Sequence, residues 1–481
     1  MKLLGAVALL SSLTAAGVIH SPSGPSSRDA TRVSYDGYRV YRVATGTAPA
    51  DLEEQLKSHH TIPLRGALEV AIPPEEVEGF EALGLDAELL NDDLGRDIAA
   101  EASSMLAFSS PILTKRGGEL PDLCWYDTYH AYDDHLRYWE DLQAAFPGNS
   151  ELFDLGPSYE GRRIFGLRLW GDDDGGRNAS KPVILWHATV HAREWISTMV
   201  IEYLTYQLID GYKAGDREVR SLLDYYDFYM VPFHNPDANP PADPEGFVYS
   251  QTTDRLWRKN RQPRAGTDCV GTDGNRNWDS QWDYPIPGGG GGLSDPCSQT
   301  YHGEAPGDTP ENAALSALSR KLAATPGGGI RSLVDWHSYG QQILLPYGWS
   351  CEPADLPANI AAQQAVGDGY AAAINATTGA SYEVGPACEV LYYSTGSARD
   401  YHSSVSGAPF SWTVELRPQG ASGGGFVLPP EFIWPTVREH WEGIKYVLDA
   451  VRTRIYILNF WGRYPPVNSP FPLDSRKRKA Q

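Results

Sequence analysis

Between Pro182 and Leu204 the hydropathy pattern changes period, and that change restricts what the chain can fold into. Pro182-Val-Ile-Leu-Trp186 is an apolar run of strand length, whereas Met199, Tyr203 and Leu204 fall on one face of a helix. The joint between them reads His187-Ala-Thr-Val-His191-Ala-Arg-Glu194. An imidazole and a carboxylate at a strand-to-helix turn can aim at one point beyond the strand end. Joined by a distant histidine, they would form a His₂Glu set that leaves one zinc position open.

The alternation continues from about Cys124 to Ala450. Ile164-Phe-Gly-Leu-Arg-Leu, Phe228-Tyr-Met-Val, Ser332-Leu-Val-Asp-Trp and Phe410-Ser-Trp-Thr-Val are strand-like runs separated by helical ones. The pattern predicts an α/β sandwich around a largely parallel or mixed sheet, with functional loops at the carboxyl ends of the strands. Gly288–Gly292 reads as part of a surface loop, because no Lys-Ser or Lys-Thr follows to make a phosphate cradle.

Upstream lies a separate small unit, from about residue 35 to 103. Tyr38-Arg-Val-Tyr-Arg-Val and Ala67-Leu-Glu-Val-Ala-Ile read as strands, Leu52–Lys57 as a helix, and Pro74-Glu-Glu-Val-Glu-Gly-Phe opens another. This predicts a small α+β module. Lys115-Arg116-Gly-Gly follows it. Its position between two globular segments favours a processing site over an ordinary surface pair. The N-terminus, Met1-Lys-Leu-Leu-Gly-Ala-Val-Ala-Leu-Leu, has one early positive charge and a short apolar run, with small residues at Ala15-Ala16-Gly17. That is the pattern of a cleaved secretory signal, too short to span a bilayer. The resulting division is a signal peptide at 1–17, a prosegment at 18–116, a catalytic domain at 117–455 and a Pro-rich basic tail at 456–481.

Charge and cysteines agree with secretion. The 61 acidic and 40 basic residues give a formal charge of −21, which argues against a nucleic-acid partner. Five cysteines suit an oxidising compartment: Cys269 and Cys297 bracket the Gly-rich loop, Cys351 and Cys388 bracket a helical segment, and Cys124 is left over. Five buried thiols are the alternative. Asn178-Ala-Ser180 and Asn375-Ala-Thr377 are glycosylation sequons.

His337 ends the strand-like Ser332–Trp336 run and is placed to complete His191 and Glu194. Most solitary histidines are not metal ligands, and His59, His60, His302 and His402, where no ligand set forms, default to solvent or structure. Glu415 lies on an apolar strand, where burial raises a carboxyl toward the range of a general base.

With these residues in view, the chain resembles the zinc carboxypeptidases of the pancreatic carboxypeptidase A/B type. The motifs are His191-Ala-Arg-Glu-Trp-Ile-Ser, Arg255-Leu-Trp-Arg-Lys, Cys269-Val-Gly-Thr-Asp-Gly-Asn-Arg-Asn-Trp, His337-Ser-Tyr and Thr413-Val-Glu-Leu-Arg, in family order. The resemblance implies a three-layer α/β/α sandwich with a mixed central sheet, preceded by the α+β prosegment. It implies one Zn²⁺ held by His191, Glu194 and His337, with Glu415 as base toward the zinc water and Arg258 steadying the oxyanion. Arg193, Asn275, Arg276, Ser338, Tyr339 and Tyr392 would bind substrate, Asn275 and Arg276 through the terminal carboxylate. Arg255 and Lys259 are expected to face solvent. The resemblance also pairs Cys269 with Cys297 and Cys351 with Cys388. The implied product is a secreted, monomeric proenzyme without membrane or nucleic-acid partners. An activating protease would cut at the prosegment boundary, and peptide and protein C-termini are the substrates.

Two departures stand out. Asn235-Pro-Asp is followed by a Pro-rich insertion at 238–245, and Pro418 stands where the family usually has Asp. The position at the base of the side-chain pocket is Arg399, where A-type members are apolar and B-type members acidic. With Leu344, Leu391 and Thr413 as walls, Arg399 would favour acidic or polar C-terminal residues, unless Asp335, also aligned with the pocket, neutralises it. The competing reading is a catalytically silent protein that binds zinc and peptide termini, and Glu415 is the residue that argues against it.

Overall fold

A computed structural model describes residues 32–46, 56, 59–108, 118–172, 181–237, 246–286, 292–326 and 328–452. The expected signal peptide, Leu52–Lys57 apart from Leu56, Lys115-Arg116, Asn178–Ser180, the 238–245 insertion, most of the glycine run and the basic tail lie outside them.

The N-terminal unit is an antiparallel sheet of β1 (Arg39–Ala44), β2 (His60–Leu64), β3 (Ala67–Ile72) and β4 (Ala87–Asn91), in the order β2-β3-β1-β4. Helices Val77–Ala82 and Leu94–Ala107 accompany it. The helix Leu94–Ala107 and the strands β2 and β4 add to the elements expected from the sequence. β2 contains Pro63, which an edge strand tolerates because it lacks a neighbour on that side.

The main domain is built on eight strands: β5 (Ser150–Pro157), β6 (Arg163–Leu169), β7 (Val183–Ala188), β8 (Asp227–Val231), β9 (Ile330–Ser338), β10 (Gln342–Leu345), β11 (Glu383–Pro386) and β12 (Phe410–Leu416). Their order is β11-β10-β12-β9-β7-β8-β6-β5. The central run β12, β9, β7, β8 is parallel; β10 meets β12, β6 meets β8 and β5 meets β6 antiparallel, so the sheet is mixed.

Central parallel strands are covered on both faces, which explains their lack of polar alternation. On β7, Ile184 and Trp186 join one core with helices Tyr132–Ala145, Trp195–Ala214, Ile360–Thr378 and Ile433–Arg452. Val183 and Leu185 face the opposite core, made by helices Pro310–Ala323 and Ala398–Ser404. The strand period of two thus sorts side chains into two cores and produces the three-layer α/β/α sandwich.

Both expected disulfides, Cys269–Cys297 and Cys351–Cys388, are formed. Cys124 is free, and burial together with Asp122 pushes its thiol up to about 11. No helix among the described residues is long and apolar enough to cross a membrane.

Candidate active site

The parallel strands deliver the site. β7 runs beside β9 with Ala188 opposite Trp336, and β9 runs beside β12 with His337 opposite Glu415. Their carboxyl ends therefore open on one cleft, as open α/β sheets require. After β7 the chain reverses at Thr189, whose φ of 58° is costly for a β-branched residue. Its hydroxyl, 2.9 Å from Pro232 O and 2.6 Å from Thr198 Oγ1, holds that conformation. The turn leads to His191, and Glu194 occupies the position just before the helix that begins at Trp195, its side chain left free of any capping bond.

His191 Nδ1 lies 2.7 Å from Glu194 Oε1, His337 Nδ1 lies 3.0 Å from Glu194 Oε2, and the two Nδ1 atoms are 3.1 Å apart. Among the described residues this is the only group of three His, Cys, Asp or Glu side chains fit to share a metal ion. Both Nε2 atoms face carboxylates: Asp273 Oδ1 at 3.0 Å from His191, and Asp335 Oδ2 at 2.8 Å from His337. An Nε2–H directed at each carboxylate leaves both Nδ1 lone pairs facing one another and Glu194. Such a convergence of acceptors, all nearly inaccessible to water, calls for a positive charge at its centre, and the donor set suits Zn²⁺. The charge pattern agrees. Burial opposes charging His337, but Asp335 and Glu194 outweigh it and hold the imidazole well above its usual range. Burial also raises Glu194, yet His191 and His337 win and its carboxyl sits below the ordinary value.

Glu415 is half-buried on the cleft floor, and desolvation pushes its carboxyl up to about 7. It is not tied up by Arg417, which instead forks onto Glu439 at 2.9 and 2.6 Å. A cavity of about 710 Å³ is lined by every metal, catalytic and substrate-pocket residue expected from the sequence except Asp335, among them Arg193, Arg258, Tyr392 and Arg399. Arg258 is held by Asp273 Oδ2 (2.8 and 3.2 Å), with Nη1 3.9 Å from Glu194. Asn275 Oδ1 accepts from Ala398 N at 2.8 Å, and Arg276 reaches the Tyr392 hydroxyl at 3.0 Å. Arg193 stacks on Phe426, 4.0 Å from the ring centre. Ser338 meets the His191, Glu194 and His337 group through its backbone, the amide donating to Glu194 Oε2 at 3.2 Å. Tyr339 donates its hydroxyl to Glu69 of the N-terminal unit, whose Thr61–Leu64 and Leu68 line the same cavity.

Three expectations are corrected. Arg255 does not face solvent: it is 1% exposed, forked onto Glu101 at 2.6 and 2.9 Å and stacked on Trp195. Lys259 is buried too, its ammonium donating to Pro296 O at 2.7 Å, and burial lowers its pKa to about 8. Both partners lie far away in sequence, which a local reading cannot see. Asp335 does not neutralise Arg399. Asp335 sits behind His337, while Arg399 Nε pairs with Asp400 at 2.9 Å. The sequence reading did not single out Asp273 behind His191, and it took Asp335 only as a pocket group rather than as the partner of His337. Asp335 stands two residues before His337 on a strand, hence on the same face, and that spacing was the available signal.

A family model described as zinc carboxypeptidase, of the M14 peptidases, matches residues 135–443. Metallocarboxypeptidase A of Trichophyton rubrum is 39% identical over 427 residues, covering 87% of this chain and 94% of the relative. Carboxypeptidase A2 of Rattus norvegicus is 32% identical over 377 residues, covering 78% and 81%. A crystal structure of carboxypeptidase A from Helicoverpa armigera superposes with a TM-score of 0.71 at 28% identity, over 87% of this chain and 98% of that one.

Proposed function

The chain belongs to the zinc carboxypeptidase family, and from that premise we propose that it is a secreted proenzyme that removes single residues from the C-termini of peptides and proteins. The observation that carries the reading is the convergence of His191 Nδ1, Glu194 and His337 Nδ1 beside Glu415. His191, Glu194 and His337 would hold the metal. When bound, Zn²⁺ supplies a Lewis acid and lowers the pKa of water.

The remaining chemistry belongs to side chains. Glu415, with a carboxyl tuned toward neutrality, takes one proton of the attacking water as the new C–O bond forms at the scissile carbonyl. It returns that proton to the leaving nitrogen as the C–N bond breaks, so the two products are the shortened peptide and a free amino acid. Arg258, fixed by Asp273, presents its remaining N–H groups to the developing oxyanion. Arg276 and Asn275 take the terminal carboxylate, a planar fork being the geometry that matches it. Tyr392, half-buried and bonded to Arg276, closes over the bound residue, and Arg193 flanks the approach. Arg399, Leu344, Leu391 and Thr413 form the side-chain pocket. We assign it a preference for acidic or polar terminal residues, moderated by the Asp400 partner of Arg399.

The zymogen reading is supported by the seat of the N-terminal unit. Its Tyr35, Val40, Leu94 and Ile98 share an apolar cluster with Leu256, Tyr339, Phe426 and Val427, and β2 lines the cleft. Cleavage at Lys115-Arg116 would free the catalytic domain, 117–455. Secretion is supported by the apolar leader and the two disulfides. The test is hydrolysis of peptides ending in Glu, Phe and Lys by the cleaved protein. Preferential release of Glu is expected. Release of none, with zinc bound, would leave a silent binding protein instead.

A further inference from the structure

We propose that Asp335 is a positioning residue that commits His337 to bind metal through Nδ1. The inference rests on the zinc reading above and concerns what decides which nitrogen of His337 faces the metal.

His337 Nε2 has two rivals. Asp335 Oδ2 stands 2.8 Å away and asks it to carry a hydrogen. Asn275 Nδ2 stands 3.1 Å away and asks it to be an acceptor. The Asn275 amide cannot turn round to relieve the conflict, because its Oδ1 accepts from the Ala398 backbone N–H at 2.8 Å. A ring that accepted from Asn275 would put its lone pair against the Asp335 carboxylate and its Nδ1–H toward Glu194 and His191, where no metal could bind that nitrogen. A charged acceptor outcompetes a neutral amide donor, so Asp335 places the hydrogen on Nε2 and keeps the Nδ1 lone pair for the metal.

Asp335 is fully buried on β9, and its other oxygen lies 3.0 Å from His187 Nδ1, on the neighbouring strand β7. His187 is in turn stacked against Trp278. Asp335 thus reaches His337 from within the sheet, whereas Asp273 serves His191 and Arg258. It is not among the residues lining the cleft, so it has no route to substrate.

The experiment uses the full chain and Zn²⁺ alone, with affinity measured by chelator competition. Asp335→Asn keeps the shape and removes the charge; a 10- to 100-fold loss of zinc affinity is expected, with thermal unfolding of the chelated protein unchanged. In the zinc-loaded wild type, the His337 Nε2–H should appear as a downfield, exchange-protected NMR signal that moves upfield in Asp335→Asn. Zinc affinity within twofold of wild type would overturn the proposal. If the variant does not fold, absence of that signal from the wild type would overturn it instead. His337→Ala separates this proposal from its premise. Unchanged zinc affinity in His337→Ala would remove the ligand assignment itself, whereas loss there with none in Asp335→Asn would remove only the role of Asp335.

Discussion

Glu101→Ala should loosen the N-terminal unit from the catalytic domain far more than an ordinary surface substitution. Glu101 is 3% exposed and Arg255 1% exposed, and they meet through two N–H···O bonds across the interface. Arg255 also donates to Arg193 O at 2.8 Å and Phe426 O at 2.6 Å, so it cannot withdraw to water while the unit is docked. Removing the carboxylate therefore leaves a buried, uncompensated guanidinium, a situation that costs about 3–5 kcal/mol. Once the unit leaves, Arg255 reaches water, so the cost attaches to the docked state alone. At about 1.4 kcal/mol per tenfold, the equilibrium constant for docking should fall by roughly two to three and a half orders of magnitude. The assay is cleavage within 109–117 followed by dilution, with retention of the N-terminal piece read by gel filtration. Burial raises the Glu101 carboxyl despite its arginine partner, a sign that dehydration is expensive here. Replacing both partners together, Glu101→Leu with Arg255→Met, should accordingly restore much of the retention. A dissociation constant for the N-terminal piece of Glu101→Ala, read over the dilution series, within threefold of wild type would refute the reasoning.

Activity should have an acidic limb governed by Glu415. The group must be ionised to accept a proton, so turnover falls as pH drops through its pKa, near 7 from burial and lower once a cation is bound. In Glu415→Gln, activity should fall by about 10²- to 10⁴-fold while zinc is retained, as metal analysis would show. Arg276→Lys replaces a fork by a point charge beside Tyr392; KM for peptides should rise about tenfold or more, with a smaller change for substrates amidated at the C-terminus. Replacing Cys269 and Cys297 by Ala opens a loop of sequence separation 28, and denaturant unfolding should report a loss of about 3–4 kcal/mol.

How much of this was legible in the sequence depended on range. The strand at Val183–Ala188 announced itself because burial on both faces leaves an unbroken apolar run, and the motif residues His191, Glu194, His337 and Glu415 come together at the strand ends to which the α/β pattern pointed. β2 was hidden by Pro63 and its edge position. Arg255 and Lys259 were misread because a buried charge is intelligible only through its partner, here Glu101, 154 residues upstream, and a carbonyl of the disulfide loop. Asp335 was read as a pocket group although the strand period already placed it beside His337. The error came from favouring a resemblance over local geometry.

Metal content and peptide release, measured on the same preparations, test the central claim most directly. The cleaved wild type should carry one zinc per chain, lose release of the terminal residue when a chelator strips it and regain release when Zn²⁺ returns. His337→Ala should carry no zinc and release nothing. Undiminished release from fully stripped protein would contradict the account.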